Sequence, residues 1–224
     1  MLVLDVGCGL GSDTRRLASM VGSRGYAVGV DVNRALLSEA RARSLGNRGP
    51  SFVLADASAL PFGNDVFDRC RCERVLEHIN DGLAAVTEIT RVLKKGGRLV
   101  VLEPDWDTTI VNGADKDITR RITRAWCDST TNGWIGRQLP ALFRESGLAE
   151  ISIEALIDFD TAPGSRSARE LPNWALEGAA VRAQAVGAIT DEESERWLSQ
   201  LNHAVRSGSF LIGVVYFVVS GRKL

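Results

Sequence analysis

The chain predicts an α/β fold: a single domain built on a doubly wound, mostly parallel sheet. Three observations carry that expectation. The opening segment Leu2-Val-Leu-Asp-Val-Gly-Cys-Gly-Leu-Gly11 is a short apolar run that breaks into glycines at every second position. Strand and helix signals then alternate through the first 150 residues, the order that βα units with right-handed crossovers produce. The final third departs from this rhythm, with a helical stretch set between two strand signals.

Each element follows from local residue choice. Leu2, Val3, Leu4 and Val6 suit a strand covered on both faces, and Gly7, Gly9 and Gly11 allow positive φ and close backbone approach to a ligand. Ser12 or Asp13 is expected to cap a helix with Leu17, Met20 and Val21 inward. A second strand covers Tyr26 to Val30 and ends at Asp31, and Asn33 caps a helix carrying Leu36, Leu37 and Ala40. Ser51 to Leu54 forms a third strand ending near Asp56, and Phe67 to Cys72 a fourth. A helix from about Asp81 turns Leu83, Val86, Ile89 and Leu93 inward and closes at Gly96-Gly97. The fifth strand, Arg98 to Leu102, ends in Glu103-Pro-Asp-Trp106. Next come a helix from Arg137 to Ser146, stopped by Gly147, and a sixth strand from Ile151 to Phe159. A helical stretch over Ala168 to Val186 precedes another helix at Thr190, where Thr190-Asp-Glu-Glu193 is a capping box. Phe210 to Val219 is a last strand expected beside the sixth.

Composition narrows the partners. The 224 residues are 45% hydrophobic and 25% charged, enough for one full core. A net charge of −1 without a basic stripe argues against nucleic acid. The most apolar stretch, Phe210 to Val219, is too short to span a bilayer as a helix, so no membrane partner is expected. Cys8, Cys70, Cys72 and Cys127 show no extracellular framework spacing, which points to a reducing cytoplasm. Cys70 and Cys72 share one side of a strand, yet His78 and His203 are the only histidines and no second cysteine pair exists, so no metal site is expected.

The glycine spacing separates two classes of nucleotide binder. The dinucleotide fingerprint G-x-G-x-x-G would put its third glycine at Ser12, whereas Gly7-x-Gly9-x-Gly11 is G-x-G-x-G, which disfavours NAD. With Asp5 before it, the segment resembles the first motif of class I S-adenosylmethionine-dependent methyltransferases. Phe67-Asp, followed by Val75-Leu-Glu-His78, resembles the small-molecule type found in ubiquinone and menaquinone biosynthesis. The resemblance implies a Rossmann-like sheet of seven strands, with the last inserted antiparallel between the fifth and sixth. Residues 161–208 would then be a helical insertion, either a cover over the acceptor or a thickening of the core. Relatives usually carry helices before the first strand. The expectation is that the insertion supplies this lid or that a natural N-terminal portion is missing from this chain.

The same resemblance assigns a cofactor, S-adenosylmethionine with S-adenosylhomocysteine as product, and its binding residues. Gly7, Cys8, Gly9 and Gly11 form the turn under the methionine end, Cys8 being a small packing residue rather than a nucleophile. Asp31, beside Val32, is placed to accept both ribose hydroxyls, its alternative being a turn or cap residue. Asp56 and Ala57 would read the adenine edge, unless Asp56 merely forms a turn before Ser58. Asp5 faces the methionine amino group, and a carboxylate inside a strand demands a donor or cationic partner. Cys72, Glu73 and Arg74 would run beside the methionine moiety and the acceptor.

A sulfonium methyl group is already an electrophile, so alignment and exclusion of water are the main tasks. For a hydroxyl acceptor, His78 is the best placed base, its alternative being an orienting or packing group. Glu103 and Asp105 read as bases, partners for an amine, or loop carboxylates. Trp106, Trp126, Trp134, Trp174 and Phe210 outline an acceptor pocket, although each is also an ordinary core residue, and Trp106 follows a strand end directly. The expected function is methyl transfer to an O, N or C nucleophile of a small molecule, quinone-like or from secondary metabolism, by a monomer or homodimer. Alternatives are a cofactor-binding protein of the same fold in a sensing or non-transfer role, and an oxidoreductase on a related fold.

Overall fold

A computed structural model describes residues 1–44, 49–161 and 173–224, the side chains of 173 and 174 excepted. Strands β1 (Leu2–Val6), β2 (Tyr26–Asp31), β3 (Ser51–Leu54), β4 (Phe67–Glu73), β5 (Leu93–Asn112), β6 (Leu148–Asp160) and β7 (Leu211–Lys223) form one sheet in the order β3-β2-β1-β4-β5-β7-β6. Its first five strands pair in parallel, with Val6 between Val30 and Cys72. The last strand inserts antiparallel between β5 and β6, giving the seven-stranded doubly wound sheet of the sequence reading. Helices are α1 (Ser12–Met20), α2 (Arg34–Ala42), α3 (Gly82–Val92), α4 (Lys116–Ser129), α5 (Ile135–Glu145), α6 (Asn173–Ala185) and α7 (Asp191–Ser207).

The chain divides into two compact units. One comprises Met1–Glu103, Arg137–Glu154 and Phe217–Leu224, and the other Pro104–Gly136 and Ala155–Tyr216. In the first, Val3, Leu4, Val6, Ala27, Val28 and Val30 are buried on both faces of adjacent parallel strands, as continuous apolar runs require. Asn33 caps α2 through bonds from the Ala35 and Leu36 amides. Helix α1 departs from the sequence reading. Its cap is Gly11 in the left-handed region, without a side-chain bond from Ser12 or Asp13, and Met20 is exposed while Thr14 is buried. Helix α3 stops at Val92 rather than at Gly96-Gly97, because Leu93 is already extended and pairs with Phe67.

The second unit is mainly helical. Helix α4, absent from the sequence reading, is capped by Asp115, whose Oδ1 accepts from the Asp117 and Ile118 amides. Its Ile118, Ile122 and Trp126 meet Trp197 and Leu201 of α7 in a buried cluster. The Trp197 indole donates to Thr119 Oγ1 at 2.8 Å. Thr190 and Glu193 form the expected capping box. Arg121 grips Glu193 with two bonds of 2.9 and 2.6 Å, which holds that carboxyl down to about 2. The start of the helix expected from Ala168 lies outside the described residues. Strand β6 ends the sheet and exposes Ile153, Leu156, Ile157 and Phe159.

Candidate functional site

The glycines after β1 have three different tasks. Gly7 holds φ 70, and a methyl group built on it would overlap Val75 Cγ2, so only glycine lets this turn meet the segment after β4. Gly9 donates its N–H to Asp31 Oδ2 at 2.8 Å. Gly11 starts α1 at φ 72, where an added β-carbon would come within 2.6 Å of the Phe52 ring. Cys8 packs against Leu37, Ala40 and Phe52, and burial followed by the nearby Asp5 and Asp31 carboxylates pushes its thiol up to about 12. It is therefore a neutral packing group.

Asp31 is clamped from two directions. Oδ2 takes the Gly9 amide and Oδ1 takes the Asn33 amide at 2.8 Å, which uses one lone pair on each oxygen and leaves acceptor capacity on both. Asp56 accepts the Ser58 amide through Oδ1 at 2.7 Å, so it forms the turn anticipated as its alternative role. Both carboxylates line a cavity of about 280 Å³ at the carboxyl ends of the strands. Gly7 contributes from the β1 turn, Val32 follows Asp31, and Ala57 follows Asp56. The turn after β4 adds Arg74, Val75 and His78. Val75 was missed in the sequence, and the signal for it was the glycine opposite.

The structure does not bring the remaining expected residues to this cavity. Asp5 is buried behind it in a network of its own: Thr14 Oγ1 donates to Oδ2 at 2.6 Å and Arg71 to Oδ1 at 2.8 Å, the partners its position required. Burial raises the Asp5 carboxyl, opposed by Thr14 and then Arg71. Arg71 also pairs with Asp13 and Glu73. Cys72 is fully buried, and burial raises its thiol well above the ordinary range. With Glu73 it borders a separate groove of about 340 Å³ that also includes Val3, Leu17 and Leu102. Glu103 is fully buried and so presents no open face to an acceptor. His78 ends a single 3-10 turn, Leu76–His78, with its side chain 71% exposed and Nε2 3.7 Å from Glu77 Oε1.

In the second unit, Asp105 is buried, Trp106 stacks on Trp126 at 4.8 Å between ring centroids, and Phe210 belongs to the core cluster. Phe210 is thus a packing residue rather than a pocket wall, since its position just before β7 carries it into the α4–α7 core. The Trp174 side chain lies outside the described residues. Among the described residues no group of three or more His, Cys, Asp or Glu could hold a metal ion, and no helix is long and apolar enough to cross a membrane.

A cradle that accepts only glycine, next to two strand-end carboxylates with free acceptor capacity, fits an adenosyl group. A methyltransferase domain model matches residues 4–101. An uncharacterized 37.1 kDa protein of transposon TN4556 from Streptomyces fradiae is 34% identical over 217 residues, covering 96% of this chain and 61% of its own length. The methyltransferase GfsG of Streptomyces halstedii is 31% identical over 84% of this chain and 69% of its length. The ubiquinone/menaquinone biosynthesis C-methyltransferase UbiE of Coxiella burnetii is 38% identical over 45% of this chain, which spans only 42% of that relative. Among solved structures, YcgJ of Bacillus subtilis superposes with a TM-score of 0.63 at 20% identity, covering 99% of this chain and 91% of that one. The SpnF cyclase superposes with a TM-score of 0.53 at 23% identity, covering 99% and 75%. Fold, glycine turn and relatives agree: the chain belongs to the S-adenosylmethionine-dependent methyltransferase family.

Proposed function

We propose that this chain transfers the methyl group of S-adenosylmethionine to an O, N or C nucleophile of a small molecule, quinone-like or from secondary metabolism. The observation that carries the reading is the cavity in which Gly7, Asp31 and Asp56 converge from three strand ends. Asp31 would take the ribose hydroxyls and Asp56 the adenine edge, while Val32, Ala57 and Val75 supply apolar walls that keep water out. When bound, the cofactor supplies an activated methyl group, and its displacement needs no metal. Arg74 and His78 border the same cavity, and His78, being exposed, is free to accept a proton from a hydroxyl or ammonium acceptor. GfsG supports methyl transfer, and UbiE, named for ubiquinone/menaquinone biosynthesis, supports a small-molecule acceptor methylated at carbon. The proposal takes residues 1–224 as one methyltransferase domain acting in the cytoplasm as a monomer or homodimer, with 161–208 as its insertion, of which 162–172 lie outside the described residues.

The test is calorimetry with S-adenosylmethionine, S-adenosylhomocysteine and NAD. Binding of both sulfur cofactors is expected, and Asp31→Ala should weaken it at least tenfold, or about 1.4 kcal/mol. NAD binding alone would overturn the reading. The SpnF likeness keeps a second reading open, a protein that uses this fold without methyl transfer. Labelled cofactor incubated with a metabolite extract decides between them: label in a product supports transfer, and cofactor bound but unconsumed supports the second.

A further inference from the structure

Glu103 is fully buried at the point where β5 leaves the first unit, and it does not line the cavity. Its Oε1 accepts the Val75 amide at 2.9 Å and the Leu76 amide at 2.8 Å, with the Glu77 amide also directed to the carboxyl. Its Oε2 is buried without a hydrogen-bond partner. The amides it holds belong to the turn after β4, which is not a relaxed one. Arg74 sits there at φ 54, tied by its own N–H to Leu102 O at 3.0 Å, and a left-handed residue other than glycine persists only where its surroundings hold it. That turn supplies Arg74, Val75, His78 and Ile79 to the cavity wall, and Val75 is the residue seated on Gly7.

We propose that Glu103 is a positioning residue of the cofactor site, a carboxyl that acts from behind the wall to fix the 74–78 turn against the glycine turn. This role rests on the functional reading above. The carboxyl works in its neutral form. Burial and then the facing Glu77 carboxylate favour the protonated state against the three amides, and an ionised Oε2 would be a buried charge without a partner. A neutral acceptor of the same length should therefore suffice. Glutamine offers one, whereas aspartate falls a methylene short and alanine offers none.

The experiment compares the wild-type chain with Glu103→Gln, Glu103→Asp and Glu103→Ala. It reads S-adenosylhomocysteine affinity by calorimetry and amide exchange of residues 74–78 by mass spectrometry. Glu103→Gln should bind within threefold of wild type and keep the turn protected. The Asp and Ala variants should lose at least tenfold in affinity, with faster exchange confined to the turn. If Glu103→Ala does not fold, the Asp variant carries the comparison. Wild-type affinity in the Asp or Ala variant, or a tenfold loss in a folded Gln variant, overturns the role while the functional reading stands. Failure of the wild-type chain to bind either sulfur cofactor overturns the functional reading and this role with it.

Discussion

Replacing Glu103 with glutamine separates the charge of this carboxyl from its hydrogen bonds and makes a quantitative prediction about stability. The native state holds the carboxyl proton up to about pH 8, chiefly because of burial, while the unfolded chain releases it near 4.5. A raised native value means that stability is fully present below pH 4.5 and is lost as pH rises toward 8. At about 1.36 kcal/mol per pH step, the native state is destabilised by roughly 1 kcal/mol at pH 5, about 3 at pH 7 and about 4 at pH 8. Glutamine cannot ionise, so it removes this loss. Its extra unpaired N–H subtracts a constant of about 1–2 kcal/mol at every pH. Urea denaturation of both proteins at pH 5, 6, 7 and 8 should show the variant gaining about 3 kcal/mol on wild type across the series, equivalent to roughly 6–12 °C in Tm. Titrating groups that do not interact with Glu103 cancel in the difference. A difference that stays flat within about 0.5 kcal/mol, the usual error of such comparisons, would refute the assignment of a buried, proton-holding carboxyl at this position.

Four other outcomes follow from the structure. Gly11→Ala should cost roughly 2–4 kcal/mol in a denaturant melt, combining left-handed strain with overpacking against Phe52. Gly9→Ala meets open space and should cost only the strain, about 1–2 kcal/mol. If His78 removes a proton from the acceptor, His78→Asn should lower kcat by about 10²-fold or more with cofactor affinity within about threefold, whereas an orienting role would move KM instead. Glu193→Gln should lower Tm at pH 7 by loosening Arg121. The Glu193 carboxyl is held down to about 2, so its contribution is present above pH 4.5 and lost as pH falls toward 2, and the Tm deficit should close over that range.

Elements whose ends carry their own chemistry were legible in the sequence: β3 spans the expected Ser51–Leu54, Asn33 caps α2, and Thr190 opens α7. The misses have physical causes. Helix α4 had its signals, Asp115 as cap and Ile118, Ile122 and Trp126 at helical spacing, but these stand among charged and threonine residues that dilute the apolar stripe. Pro104 reads as the end of β5, yet Thr108, Thr109, Ile110 and Val111 are β-branched and carry the strand on to Asn112. Asp31 and the glycines were legible because a glycine turn after a strand and an acid ending the next strand form a local pattern, which the structure joins through the Gly9 to Asp31 hydrogen bond. The placement of Glu103 was not. A strand-end carboxylate looks the same in sequence whether it faces solvent or is enclosed, and its partners lie 28 and 27 residues away.

Strand β6 has a consequence for handling the protein. As the last strand of the sheet it has a strand neighbour on one side only among the described residues, and it displays Ile153, Leu156, Ile157 and Phe159 to solvent. Glu154 and Asp158 stand among these apolar residues. Charged side chains placed among apolar ones are a device by which exposed sheet edges resist pairing with a second copy. Salt screens such charges, so high ionic strength would favour association through the same edge.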